Sequence, residues 1–509
     1  MSDNNAKNRL LVKNTLMLYL RTFIVMVVSL FTVRIIFQTL GVNDYGVYNV
    51  VSGFVTMFSF ITGSLSVTIS RFLSIEIGRG NLENLKRMFA NSLYCMVAVG
   101  VFLIVIIEFI GVPFLNYKMN IIPERMFAAN CVLQLSIITL FIQVFTIAFD
   151  ALVISAEKMS VYAYISIFDI VLKLAISYAI IISPIDKLIV YSILLAIQNG
   201  IILFVYGLYC HNKVLLLPLG EKINYPIIRE IASVTGWDLF GSSSLMLKNY
   251  GGNILLNLFF GTIINASRGI AMQINAALTK FSGGFLTALR PQIMKAYATG
   301  DKYRFFMLID KGTRLSTYLL LLISIPIMLE SHYIINLWLG EVPAHCESFV
   351  VLIIILSISE GTMVYSHNAA LMALGRIKKC QILTGILQLL NLPIAYLFLK
   401  VGASPESTIV VAIVIAHICC FVRLYILQEY TGYSIKRFIT STYLRLFIVS
   451  ILSVSLPLLI QKTMDESFLR LMIITIICFI MTAFVVFYIG CEKAERKRII
   501  DFLLNKLNR

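Results

Sequence analysis

The chain has 509 residues, of which 59% are apolar and only 13% charged, with mean hydropathy +0.89 and a formal charge of +16. Soluble domains carry about 25% charged residues because water must wet their surface, so this composition excludes a set of soluble domains and calls for lipid as solvent. The positive excess does not point to nucleic acid, because no soluble basic domain is present to hold a duplex.

Taking about 20 mainly apolar residues as the length of a spanning helix, the sequence predicts an all-α polytopic membrane protein with about 14 transmembrane helices. The first, 14–40, follows Lys7, Arg9 and Lys13. It is too long for a cleaved signal core and is expected to stay in the mature protein. Next come 46–76, 88–115, 126–152, 161–183 and 188–210. The second half holds 230–260, 262–290, 314–338, 348–373, 377–400 and 406–430, and 439–461 and 467–490 close the series.

Loop charge sets the orientation. With the N-terminus inside, the inner segments hold about 27 of the 42 Lys and Arg, and the outer loops about seven. That is the positive-inside bias. It predicts a multi-pass membrane protein with both termini cytoplasmic. Trp338 and Tyr333 read as outer interface anchors. No loop is long enough for a nucleotide-binding unit, and no G-x-x-x-x-G-K-[ST] occurs. Nine cysteines, among them Cys95, Cys131, Cys419, Cys420 and Cys478, lie mostly inside apolar spans without metal-ligand spacing. They read as small buried hydrophobes.

An internal repeat recurs at 219 to 220 residues. Gly41 and Gly261 each close a span, Thr68-x-x-Arg71 matches Thr287-x-x-Arg290, and Gly80-Asn81 matches Gly300-Asp301. Six spans separate the copies, so both have the same orientation, a parallel repeat. The expected organisation is a six-helix bundle over 1–216, a second over 217–435, and an extra hairpin with a basic tail over 436–509.

Cations within the membrane are costly and face a protein interior or a wet cavity. Spans one, two, seven and eight contain Arg21, Arg34, Arg71, Lys248, Lys280 and Arg290, with Arg268 near the outer end of span eight. Acids there are nearly absent, Asp238 and Glu76 being the exceptions. A cationic cavity between two bundles would hold an anion, and guanidinium forks suit phosphate. Against this, Arg21, Arg71 and Arg290 lie near helix ends, where side chains can snorkel to the headgroups. Arg21 and Arg34 also leave one helix about 140° apart around its axis, so a straight helix cannot aim both at one point. Asp150, Glu108 and Glu360 are candidates for coupling to a proton or sodium gradient. Asp169 and Lys173 read as an i, i+4 ion pair, and His367 and His417 as satisfied interior histidines. Gly251-Gly252 serves equally as a hinge or as a close-packing point. No metal site and no bound cofactor are expected.

The stretches Gly236-Trp237-Asp238-Leu239-Phe240-Gly241, Asn253 to Gly261, Asn265 to Ala271, and Leu40 to Tyr48 resemble bacterial O-antigen and polysaccharide flippases of the multidrug/oligosaccharidyl-lipid/polysaccharide exporter superfamily. The resemblance implies two six-helix bundles with an optional hairpin and a cavity on spans one, two, seven and eight. It also implies movement of a polyprenyl-pyrophosphate-linked oligosaccharide to the periplasmic leaflet for polysaccharide biosynthesis. Membrane lipids and glycan polymerase machinery would be its partners. A multidrug antiporter of the same superfamily would favour an acidic cavity. A membrane-embedded glycan polymerase or ligase would need a larger outer loop than the one carrying Glu341, His345 and Glu347.

Overall fold

The computed structural model describes the backbone of residues 2–156, 158–213, 221–374, 377–493, 495–497 and 500–501. Side chains of 2–20, 232–242, 280–288, 361–365 and scattered neighbours lie outside the description. The described chain is helical, without strands. It divides into two compact units, 1–269 and 270–509.

The first unit begins with α1 (Ser2–Thr56), two limbs joined at Gly41. Then follow α2 (Ser59–Arg79), α3 (Leu82–Ile106), α4 (Val112–Tyr117), α5 (Met126–Ser155), α6 (Met159–Ala179), α7 (Lys187–Lys213) and α8 (Tyr225–Phe260). Helix α9 (Thr262–Ala298) opens in this unit and ends in the next. A π-helical step, Ile107–Gly111, joins α3 to α4. Apolar α5 forms the centre of the unit and packs on α2, α3 and α7. Its Val132, Leu133, Val144, Ala148 and Leu152 are fully enclosed.

The second unit comprises the rest of α9, α10 (Lys302–Leu329), α11 (Ser331–Leu339), α12 (Cys346–Ala373), α13 (Ile377–Leu389), α14 (Asn391–Lys400) and α15 (Ser407–Thr431). It closes with α16 (Ile435–Phe438), α17 (Leu444–Gln461) and α18 (Phe468–Val485), which runs into a π-helical turn ending at Gly490. The α17–α18 hairpin packs on α10 through Tyr318, Leu321 and Ile325 against Val449, Ile474 and Cys478.

Among the described residues ten helices are long and apolar enough to cross a membrane, against the fourteen expected. Each of the other expected spans, 46–76, 230–260, 262–290 and 348–373, includes residues whose side chains lie outside the description. The chain is a multi-pass membrane protein all the same.

The repeat reappears in backbone geometry. Gly41 (φ 75°, ψ 171°) and Gly261 (φ 80°, ψ −167°) share a conformation open essentially to glycine alone. At the other end, Gly80 and Gly300 are left-handed (φ 68° and 72°). Each closes its helix with the same pair of bonds: Gly80 N to Ile77 O and Asn81 N to Glu76 O, then Gly300 N to Tyr297 O and Asp301 N to Ala296 O. The next helix is capped alike in both copies. Asn81 Oδ1 accepts from Asn84 N at 3.0 Å, and Asp301 Oδ1 accepts from Arg304 N at 2.9 Å.

Candidate functional site

Arg34 lies half-buried on the first limb of α1, seven residues before Gly41. Among the described residues it forms no ion pair or side-chain hydrogen bond. Arg268 lies seven residues beyond Gly261 and is 7% exposed. Its Nη2 donates to Asn249 O at 3.1 Å, and its buried Nε has no partner. Glycine makes room for it, since a Cβ on Gly252 would stand 2.7 Å from Arg268 Nη2. The same junction brings the second limb of α1 hard against α9. A Cβ on Gly46 would lie 2.1 Å from Thr262 O, and one on Gly269 2.8 Å from Asn49 Oδ1. Asn265 Nδ2 donates to Asn253 O at 2.7 Å, leaving Asn253 Oδ1 and Asn265 Oδ1 buried without partners.

Lys248 is buried on α8, 4% exposed. Arg21 turns to α6: its Nη2 donates to Tyr162 Oη at 3.3 Å, and its guanidinium stacks 4.4 Å from the Tyr162 ring centre. Asp150 is within its electrostatic reach and accepts from Tyr206 Oη at 3.1 Å. Between Arg21 and Arg34 the helix of α1 is unbroken, so the two act at different places. Arg71, Lys280, Arg290 and Asp238 have side chains outside the described residues.

The coupling candidates are dispersed. Glu108 lies in the π-helical step and accepts from Gln134 Nε2 at 3.2 Å. Asp150 joins the Arg21 cluster. Glu360 is half-buried on α12. His367 is enclosed with its ring 5.2 Å from that of Phe438, and His417 Nδ1 lies 2.8 Å from Ile413 O.

A cavity of about 170 Å³ lies inside the first unit, lined by Tyr48, Ser52, Thr56, Gln143, Lys173 and Asn199 among others. Lys173 is the one charged group on its wall among the described residues. It pairs with Asp169 at 2.9 Å, and Gln198 donates to the other Asp169 oxygen. Gln143 Nε2 donates to Asn199 Oδ1 at 3.0 Å. The space suits several waters among hydroxyls and amides. Sequence reasoning found the Asp169–Lys173 pair but not the chamber, whose walls come from α1, α2, α5, α6 and α7.

The loop ends of this unit are also tied. Arg125 bridges Asp44 and Asp186, both at 2.5 Å. Burial alone would raise the Asp186 carboxyl, but hydrogen bonds from Arg125 and from backbone N–H groups of Ile189 and Leu188 hold it below its ordinary value. Asn257 mimics a strand, accepting from Asn120 N at 2.9 Å and donating to Asn120 O at 3.2 Å.

Residues 19–179 match the MatE family. The whole chain resembles the structure of "Lipid II flippase MurJ, inward closed conformation", with TM-score 0.72 at 12% identity over 92% of this chain and 98% of that one. It also resembles an inward-facing multidrug resistance MATE family transporter of the MOP superfamily, with TM-score 0.66 at 14% identity, over 81% and 97%. The fold is the MATE-type fold. A curated relative, the uncharacterized membrane protein EpsK of Bacillus subtilis (strain 168), is 22% identical over 346 residues. That alignment spans 66% of each chain, just under two thirds of the relative's length.

Proposed function

We propose that the protein is a transporter that flips a polyprenyl-pyrophosphate-linked oligosaccharide across the membrane by alternating access, without enzymatic chemistry. The observation carrying this reading is the pair Arg34 and Arg268. One is half-buried and the other enclosed, and neither has a carboxylate partner among the described residues. A buried unpaired guanidinium is expensive, and an anionic headgroup entering its surroundings would offset that cost. The described cations are also staggered along their helices. Counting helical rise from Gly41 and Gly261, Arg34 and Arg268 sit about 10 Å down, Lys248 about 20 Å and Arg21 about 30 Å. A pyrophosphate moving between leaflets would thus meet a cation at several levels while its lipid tail stays in hydrocarbon.

The MATE-type fold and the MatE segment support multidrug efflux equally, which makes it the second reading. Purified protein in vesicles with a fluorescent short-chain polyprenyl-pyrophosphate oligosaccharide separates the two. The expected result is that the inner-leaflet fraction becomes accessible to a membrane-impermeant quencher faster than in protein-free vesicles. No acceleration, together with ion-driven uptake of a cationic dye, would overturn the flippase reading.

A further inference from the structure

One end of the second unit holds a cluster of arginines that the transport reading does not use. Arg314 on α10 is 3% exposed. Its Nη2 pairs with Glu492 at 2.9 Å and with Glu495 at 3.4 Å, and its Nη1 is buried with no partner. Arg445 Nη1, in the first turn of α17, and Arg496 Nε, beyond α18, are likewise buried and unpartnered. These groups are neighbours: Arg314, Arg445, Arg496 and Glu495 all act electrostatically on the Cys491 thiol, and Arg314 and Arg445 also act on Tyr318. The chain is held there by Tyr318 Oη, which donates to Gly490 O at 3.1 Å.

The charges do not balance. Lys311 pairs with Glu495 at 3.0 Å, and Arg437 and Arg314 both act on Asp310, which accepts from Tyr433 Oη. Among the described residues, five cations, Lys311, Arg314, Arg437, Arg445 and Arg496, thus face three carboxylates, Asp310, Glu492 and Glu495, leaving two positive charges over. One stray guanidinium nitrogen could be served by water. Three orphaned buried donors at the same end of the unit, with surplus positive charge among the described residues, call for an anion with several acceptor oxygens.

We propose that the junction of α10, α17 and the chain following α18 binds a phosphate-bearing anion, supplied by an anionic phospholipid headgroup of the leaflet beside it. Two phosphodiester groups, or one phosphate dianion, match the surplus. The lipid source is favoured by the adjoining hairpin, which exposes Phe447, Ile451, Phe484 and Tyr488, each more than half accessible, as a wall for acyl chains. By the charge bias this end faces the cytoplasm, and basic pockets between helices on that side hold anionic headgroups.

The thermal midpoint of the full-length protein in neutral detergent tests the site. Cardiolipin or phosphatidylglycerol should raise it and phosphatidylcholine should not. In Arg445→Gln and in Arg496→Gln the lipid concentration giving the half-maximal rise should increase about tenfold or more, as for loss of one charge-assisted hydrogen bond. Lys379→Gln, at an exposed cation of the same unit, should behave as the parent. Inorganic phosphate, compared with chloride at equal ionic strength, separates the sources: a rise as large as cardiolipin's assigns the site to soluble phosphate, and a rise with lipid alone assigns it to the headgroup. Should Arg445→Gln fail to fold, Arg496→Gln carries the test. Equal rises with phosphatidylcholine and cardiolipin, or an unchanged lipid response in the arginine variants, would overturn the proposal.

Discussion

Arg125 grips Asp44 with two parallel hydrogen bonds, Nε to Oδ1 at 2.7 Å and Nη2 to Oδ2 at 2.5 Å, and its remaining Nη1 reaches Asp186 at 2.5 Å. Asp44 comes three residues after the Gly41 kink, and Asp186 directly precedes α7. One guanidinium therefore pins the turn of α1 to two distant loops.

Removing that fork should leave two carboxylates facing each other without a cation. All three side chains are roughly one-quarter exposed, so screening is partial. Arg125→Ala is expected to cost about 1–3 kcal/mol, read as a lowered thermal midpoint in detergent that salt partly restores. Arg125→Lys keeps the charge but cannot form the fork, and should recover only part of the loss. A midpoint equal to the parent's in Arg125→Ala would show that the clip contributes nothing.

The glycines divide into two kinds, with opposite expected effects. At Gly41 and Gly261 a side chain is forced into a backbone region that L-residues avoid, so Gly41→Ala and Gly261→Ala should each cost about 1–3 kcal/mol. Gly63 lies within α2 with nothing within 4 Å of its would-be Cβ. Gly63→Ala should therefore be neutral or stabilising by about 0.5–1 kcal/mol, through helix propensity alone. Thermal midpoints of the three variants, measured side by side, decide whether conformation or packing sets the cost.

The contrast explains what was legible in the sequence. A glycine forced by backbone geometry leaves a mark that no tertiary contact can hide. Gly41 with Gly261, and Gly80-Asn81 with Gly300-Asp301, could therefore be paired from spacing alone. The Asp169–Lys173 bridge was legible for a similar reason, since i, i+4 contact follows from helical pitch. The Arg125 clip joins residues 81 and 61 positions apart, and the polar chamber draws one or a few side chains from each of five helices. Neither has a local pattern. Arg314, Arg445 and Arg496 share no local pattern either, since they come together only once α10, α17 and the chain beyond α18 have packed.

Arg34 separates the transport reading from a structural one. Among the described residues it holds no partner that truncation would orphan, so Arg34→Ala should leave the amount of folded protein in the membrane unchanged. The flipping rate of the pyrophosphate-linked oligosaccharide should fall by about tenfold or more, the change expected on losing one charge-assisted contact. Lys248→Ala and Lys280→Ala are expected to impair transport in the same direction. In a deletion strain complemented with each variant, surface glycan should fall while membrane protein does not. Full export by all three would remove the cationic path.

The turn before α15 in the second unit gives the protein an acid limit. Glu406 precedes α15 and meets His345 Nδ1 at 2.6 Å, while Ser348 Oγ donates to it at 2.7 Å. Burial alone would raise the carboxyl, but the bonds from His345 and Ser348 prevail and hold it at about 2, against an ordinary value of 4.5. A carboxyl depressed in the fold favours the native state because the unfolded chain takes up a proton more readily than the folded one. Its contribution is complete above about pH 4.5 and disappears as pH falls through 2. The thermal midpoint should thus decline across that window. Glu406→Gln, which cannot ionise, should start lower near neutrality and decline less steeply. Some slope should persist in it, because Glu495 and Asp186 are depressed as well. Parallel curves for parent and Glu406→Gln between pH 5 and 2 would show that this carboxylate is not what acid disarms.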